Sequence, residues 1–389
     1  MLEGHVHPDF APVATAMRAA LSHRSPHPGG GAVSVVHRGE VVVDLWGGTR
    51  DAGTDPWRAD TVGLSFSTTK GVVATVAHRL VDRGLLDVDA PVAEYWPEFA
   101  AAGKERITVR LLLAHDAAMH RLRGVVPDAF AMLDWDATCA GLAAAAPMWE
   151  PGTRAGYHGV TYGWLVGEVI RRITGDTVDA AVQREVVGPL GIDAMGIGWP
   201  EDRRDQRADL IVASSPTSRF EARADRGATV RWAQPTVDAF VVPRFTEFIR
   251  SDAAYAGELP ALNGCFTARG LARMYSVLAH GGVDPVSGER YLGEATLRRA
   301  TEIQRPGRRP DAVVGFPMRW RLGYHMAATN RGVIPNGFGH FGFGGSGAWA
   351  SPDDDLAVAF VCNRVAGTPF GDFRMLRIGA AALQAARRR

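Results

Sequence analysis

Phe66-Ser67-Thr68-Thr69-Lys70-Gly71-Val72-Val73-Ala74-Thr75-Val76-Ala77-His78-Arg79-Leu80-Val81 starts with hydroxyl side chains and runs on as a helix. Val72, Val73, Val76, Ala77, Leu80 and Val81 form one apolar stripe at helical spacing, and Gly84 stops it, which predicts a helix over 69–83. The i, i+3 interval from Ser67 to Lys70 places a hydroxyl and an amine on the same helix face. Free N–H groups and the positive dipole end of the helix lie beside that hydroxyl, suited to a developing oxyanion. The amine acts as a base only if burial lowers its pKa from about 10.4. The alternative is a Ser/Thr helix cap with Lys70 in solvent.

Composition sharpens the choice. Of 43 basic residues only two are lysines, Lys70 and Lys104. A chain this rich in arginine keeps lysine where arginine cannot serve, since only lysine loses its proton at accessible pH. Thirteen serines and two lysines in 389 positions give about 0.07 Ser-x-x-Lys matches by chance. The net charge of +1 offers no field for nucleic acid or anionic lipid. No apolar run reaches ~18 residues, so no membrane span is expected. The first residues, Met1 to Pro8, lack the n- and h-regions of a leader, and Cys139, Cys265 and Cys362 are far apart and odd in number. A cytosolic setting without disulfides is the expectation.

Outward from the helix, Phe10 to Leu21 reads as another helix, and Ala32–His37 and Val41–Trp46 as a hairpin turning at Arg38-Gly39-Glu40. Thr108 caps the Leu111-Leu112-Leu113 segment. Further helices are expected over Ala137–Ala146, Tyr162–Ile173, Ala268–Ala279 behind Thr267, and Phe370–Ala386. Phe338–Phe343, Gly347–Ala350 and Leu356–Cys362 are strand candidates, the last two joined at Pro352-Asp353-Asp354-Asp355. Trp199 to Glu258 lacks periodicity and reads as loops or an insertion over a site. Strands at both ends and helices between them predict an α+β fold. An antiparallel sheet built from both chain ends (1–62 and 310–389) is flanked by helices, with a mostly helical part (63–309) inserted. A cleft where the parts meet is a natural small-molecule site.

Two further features carry chemistry. Tyr157, in Trp149-Glu150-Pro151-Gly152-Thr153 … Tyr157-His158-Gly159, stands on a loop where a phenol can share a proton with the serine–lysine pair; the alternative is a packing tyrosine. Gly339-His340-Phe341-Gly342-Phe343-Gly344-Gly345-Ser346-Gly347 is dense in glycine, which implies close approach of backbone to a ligand or another strand, or else a glycine-rich bulge. Ser346 is not a nucleophile elbow, because it lies between strands and lacks the second glycine. No Walker-A motif occurs. His5-x-His7 reads as a solvated tail, and His115 with His120 as a helix-end pair, so no metal or cofactor is expected.

Ser-x-x-Lys, a loop tyrosine and His-x-Gly, in this order, resemble the serine β-lactamase and penicillin-recognising DD-peptidase superfamily, and in particular its class-C-like family VIII carboxylesterase branch. Ile107-Thr108-Val109-Arg110-Leu111-Leu112, Gly188-Pro189-Leu190-Gly191, Asn263-Gly264 and Asn363 read as further blocks of the pattern. The resemblance implies an acyl-enzyme mechanism. Ser67 would be the nucleophile, Lys70 its proton acceptor and Tyr157 the shared base and later acid. The oxyanion would sit on the N–H groups of Ser67 and Phe343, with His340, Phe341 and Gly342 about the acyl group. Departures are informative. Tyr-x-Asn becomes Tyr157-His158-Gly159, and Lys-Thr-Gly becomes His340-Phe341-Gly342, so the amide and the cation that would hold a peptide-like carboxylate substrate are gone. His-Thr-Ser-Gly becomes His115-Asp116-Ala117-Ala118. Phe341, Phe343 and the Phe240–Phe248 segment suit apolar acyl chains. The expected function is hydrolysis of small to medium carboxylic esters, with a small-molecule ester as the partner and no nucleic acid. A β-lactamase or DD-peptidase, an acyltransferase and a catalytically silent binding protein are the alternatives; the acyl group, the alcohol and assembly into a homo-oligomer are left open.

Overall fold

The computed structural model describes residues 1–22, 29–212, 234–307, 309–365 and 373–389. Its main sheet has seven strands: β1 (Leu2–Val6), β2 (Gly30–His37), β3 (Glu40–Gly48), β4 (His325–Thr329), β5 (Gly332–Phe341), β6 (Gly347–Ser351) and β7 (Leu356–Cys362). Their order is β1-β3-β2-β7-β6-β5-β4, with every pair antiparallel. The chain ends meet where β7 pairs with β2, from Leu356↔His37 to Cys362↔Gly31. This is the α+β sheet from both ends that the strand candidates predict.

Period-two alternation sorts β7 between two cores. Leu356, Val358 and Phe360 join Phe10, Val13, Met17 and Ile378 beneath the terminal helices α1 (Ala11–Leu21) and α5 (Arg374–Arg388). Ala357, Ala359 and Val361 face the other core, where small side chains let α4 (Ala268–Ala279) lie directly on the sheet. α4 thus comes from the middle of the chain yet covers the sheet; Thr267 caps it, accepting the Gly270 N–H at 3.0 Å. Burying each Val or Leu contributes roughly 1.5–3 kcal/mol.

α2 (Thr69–Asp82) differs from a one-sided amphipathic helix: Thr69 through His78 are all buried. Two of its buried polar side chains find partners inside the protein. Thr75 Oγ1 donates to Gly71 O and meets the Tyr324 hydroxyl, each at 2.9 Å, and His78 Nε2 meets Leu322 O at 2.8 Å. α3 (Tyr162–Thr174) packs beside it and ends at left-handed Gly175.

Other expectations shift at the edges. The His5-x-His7 tail is instead largely β1, paired with β3 and anchored by Leu2 and Val6 against the terminal-helix core. β4 was not legible in His325-Met326-Ala327-Ala328-Thr329. The helix expected over Ala137–Ala146 runs Trp135–Ala144, and α5 starts at Arg374; residues 370–372 lie outside the described residues. Within Trp199–Glu258, Gln234–Phe240 and Phe245–Ile249 are helical turns, while 213–233 lie outside the described residues. No helix among the described residues is long and apolar enough to cross a membrane.

Candidate active site

Ser67 sits in the 3₁₀ turn Phe66–Thr68 that leads into α2. Phe66 has φ +46°, a strained left-handed conformation for a bulky residue. Neighbouring bonds over-determine it. Thr69 Oγ1 donates to Phe66 O at 2.5 Å and accepts the Gly264 N–H at 3.0 Å, and Ser65 N–H donates to Gly264 O at 2.8 Å. The Asn263-Gly264 block therefore braces the serine turn.

Lys70 is fully buried. Its Nζ donates to Ser67 Oγ at 2.9 Å and to Ala261 O at 3.0 Å, and lies 5.1 Å from the Tyr157 ring centre and 6.0 Å from that of Tyr162. Burial alone, with no carboxylate to oppose it, lowers its pKa well below the ordinary lysine value. Tyr157 donates its hydroxyl to Ser67 Oγ at 2.9 Å, and burial raises the phenol's pKa. One hydroxyl thus meets an amine and a phenol, both biased to their neutral forms.

His340, near the end of β5, stacks its ring beside Tyr157 with centres 6.2 Å apart. Its Nδ1 meets Phe341 O at 3.1 Å, and burial holds its pKa well below the usual value, so the group in the place of the motif lysine is uncharged. Gly342 lets the strand end press against the serine turn, since a Cβ there would lie 2.2 Å from Ser65 O. Phe343 packs edge-on against Phe66 at 5.4 Å, and its N–H lies past the last ladder pair, Phe341↔Gly347. Phe341 does not join them. Alternation along β5 turns its side chain to the face opposite His340, partly buried against the terminal-helix core and 5.1 Å from the His325 ring.

His115 follows closely on the helical turn Val109–Leu113. Fully buried, it packs edge-on against Tyr157 at 4.9 Å, and its Nδ1 accepts the His158 N–H at 3.2 Å. Burial lowers its pKa, and lowers His158 to about 3 and His325 to about 4, so the centre is lined by neutral rings. Where the motif asparagine is missing, the space is filled: a Cβ on Gly159 would fall 2.2 Å from Cε1 and 2.4 Å from Cζ of Phe240. Sequence reasoning missed the Ala261 carbonyl, Asp311 and Trp320, and gave His115 no part in the site; the Asn263-Gly264 block was a hint to Ala261, since Asn263 Oδ1 accepts the Leu259 N–H at 2.9 Å in the segment bearing it.

A sheet from both chain ends beside a buried Ser-x-x-Lys turn and a loop tyrosine defines the β-lactamase/transpeptidase-like class. The beta-lactamase family model matches residues 18–383, and the chain belongs to that family. The esterase/beta-lactamase LipL of Mycobacterium tuberculosis (strain ATCC 25618 / H37Rv) is 37% identical over 365 residues, covering 93% of this chain and 83% of LipL. A solved family VIII carboxylesterase superposes with a TM-score of 0.86 at 35% identity, over 99% of this chain and 100% of the other. A penicillin-binding protein homologue from Caulobacter crescentus gives 0.85 at 34% identity, also over 99% and 100%.

Proposed function

We propose that this chain is a serine carboxylesterase working through an acyl-enzyme. The observation that carries the reading is Ser67 Oγ at 2.9 Å from both the Lys70 amine and the Tyr157 phenol. Ser67 Oγ attacks the ester carbonyl carbon while neutral Lys70 takes its proton. Negative charge gathers on the carbonyl oxygen, facing the N–H groups of Ser67 and Phe343; a lost oxyanion donor typically costs ~10²–10³ in turnover. Tyr157 delivers a proton to the departing alcohol, regaining one from Lys70. Water then repeats the sequence against the acyl-enzyme, and the alcohol and acid leave in turn.

Esters of small to medium apolar acids fit this site better than charged amides. Phe240 occupies the side-chain space of Gly159, and His340 brings no positive charge to a carboxylate. Names of the relatives, esterase/beta-lactamase LipL and the family VIII carboxylesterase, support the same reading. Cys139, Cys265 and Cys362 are buried and form no disulfide among the described residues, which suits a cytosolic setting. The test is mass spectrometry of wild type and Ser67→Ala quenched with p-nitrophenyl esters or a penicillin. A wild-type acyl adduct with rapid p-nitrophenol release, absent in Ser67→Ala, is expected. A penicilloyl adduct as the main product moves the reading to a penicillin-recognising enzyme, and no adduct from either probe overturns it.

A further inference from the structure

We infer that Asp311 and Trp320 are positioning residues that fix the Tyr157 phenol against Ser67. The inference rests on the proposed proton-carrying role of Tyr157 and adds the residues that aim it.

Asp311 is 3% exposed and no cation contacts it among the described residues; its carboxylate is met by four N–H donors. Oδ1 accepts from the backbone of Tyr157 at 3.2 Å, Val313 at 2.8 Å and Val314 at 3.0 Å. Oδ2 accepts from the Trp320 indole at 2.9 Å. Every partner donates, so the anion is the form this geometry satisfies. Two of the four bonds converge on one residue. Asp311 holds the Tyr157 main chain directly, and the indole it holds lies flat on the Tyr157 ring, with centres 5.1 Å apart and planes 19° apart. His115 sets its ring edge-on against both, 4.2 Å from the Trp320 ring and 4.9 Å from that of Tyr157. The neighbouring Ala312 N–H donates to Ala155 O at 2.9 Å, so the two loops are joined beside the tyrosine as well. A carboxylate that served only to close its own turn would need Val313 and Val314 alone. This one reaches the backbone and, through the indole, the ring of a single residue, the one whose hydroxyl donates to Ser67 Oγ at 2.9 Å.

The test compares Asp311→Asn, Trp320→Phe, the double variant and Tyr157→Phe by ester kinetics and thermal unfolding. In Asp311→Asn the amide nitrogen faces an N–H in either orientation, so kcat should fall about 10- to 100-fold with KM within about twofold. Trp320→Phe keeps the stacked ring and loses the donor, and a fall of about 3- to 10-fold is expected. In the double variant the amide turns its nitrogen to the phenyl ring and its oxygen to the three backbone donors. Turnover should then recover to the Trp320→Phe level, a rescue that mere loop closure does not give. Folded Asp311→Asn with kcat within twofold of wild type, or a double variant losing the product of the two single effects, overturns the inference. If Asp311→Asn does not fold, Trp320→Phe decides: full kcat there overturns it. Tyr157→Phe separates the two readings, because full activity in that variant removes the role of Tyr157 itself, whatever Asp311 does.

Discussion

Gly159→Ala adds one methyl group where the Phe240 ring already sits. The new Cβ would lie 2.2 Å from Cε1, 2.4 Å from Cζ and 3.2 Å from Cδ1. Carbon–carbon contact needs about 3.5 Å, so the ring must retreat by about 1.3 Å. It cannot do so freely, since it packs on the Tyr157 ring at 6.0 Å and partly against the core. Overpacking of this kind costs about 1–3 kcal/mol. The backbone at 159 is not left-handed, so no φ strain adds to it; in open space the same change would stabilise by about 0.4–1 kcal/mol through the unfolded chain. Phe240→Ala removes the obstacle. Gly159→Ala should therefore destabilise the wild type by about 1–3 kcal/mol and be neutral or slightly stabilising in Phe240→Ala, a coupling of about 1–3 kcal/mol. Urea unfolding of the four proteins reads the coupling. Parallel kcat/KM values across p-nitrophenyl acyl lengths should shift most for the variants that lose or displace the Phe240 ring. An equal cost of Gly159→Ala in both backgrounds refutes the claim that Phe240 holds that space.

Three further outcomes follow from the lysines. Burial lowers the Lys70 pKa, so kcat/KM should rise with pH through an acid limb lying well below 10.4, as the neutral amine becomes available; a limb at the ordinary lysine value refutes the base role. Lys70→Arg, which cannot deprotonate, should lose about 10²–10⁴ in turnover. Lys104 is fully buried, and its Nζ donates to Ala101 O and Ala143 O at 2.7 Å and to Ala145 O at 2.5 Å. Lys104→Met leaves three carbonyls without that donor and should cost about 2–4 kcal/mol in urea unfolding, with kcat of the folded protein unchanged. An unaltered midpoint refutes the clamp.

What the sequence made legible was local. Ser67 and Lys70 are three residues apart on one helix, and Thr108 and Thr267 cap helices through donors three residues ahead. Tyr157 and His340 were legible through the order of motifs rather than any spacing, because the contacts that give them meaning reach 90 residues to Ser67, or across the sheet. Asp311 was invisible, since its partner Tyr157 is 154 residues away and an aspartate in Arg309-Pro310-Asp311-Ala312 reads as an ordinary turn. β1 was hidden for a different reason: Gly4, at φ +104°, stands between Leu2 and Val6 where the alternation that marks a strand would need an apolar residue.

The scarcity of lysine and the Ser-x-x-Lys motif both single out Lys70, and only the scarcity singles out Lys104. Both lysines are wholly buried, and at both the ammonium end meets a small ring of acceptors rather than a carboxylate. At Lys104 three carbonyl oxygens match the three protons of an ammonium, and a planar guanidinium could not point three N–H bonds at them from one atom. At Lys70 the requirement is chemical, since only an amine can be neutral there. Arginine fills the other 41 basic positions of the chain. Lysine at 104 answers a need for compact shape, and under the proposed mechanism lysine at 70 answers the need for a removable proton beside Ser67.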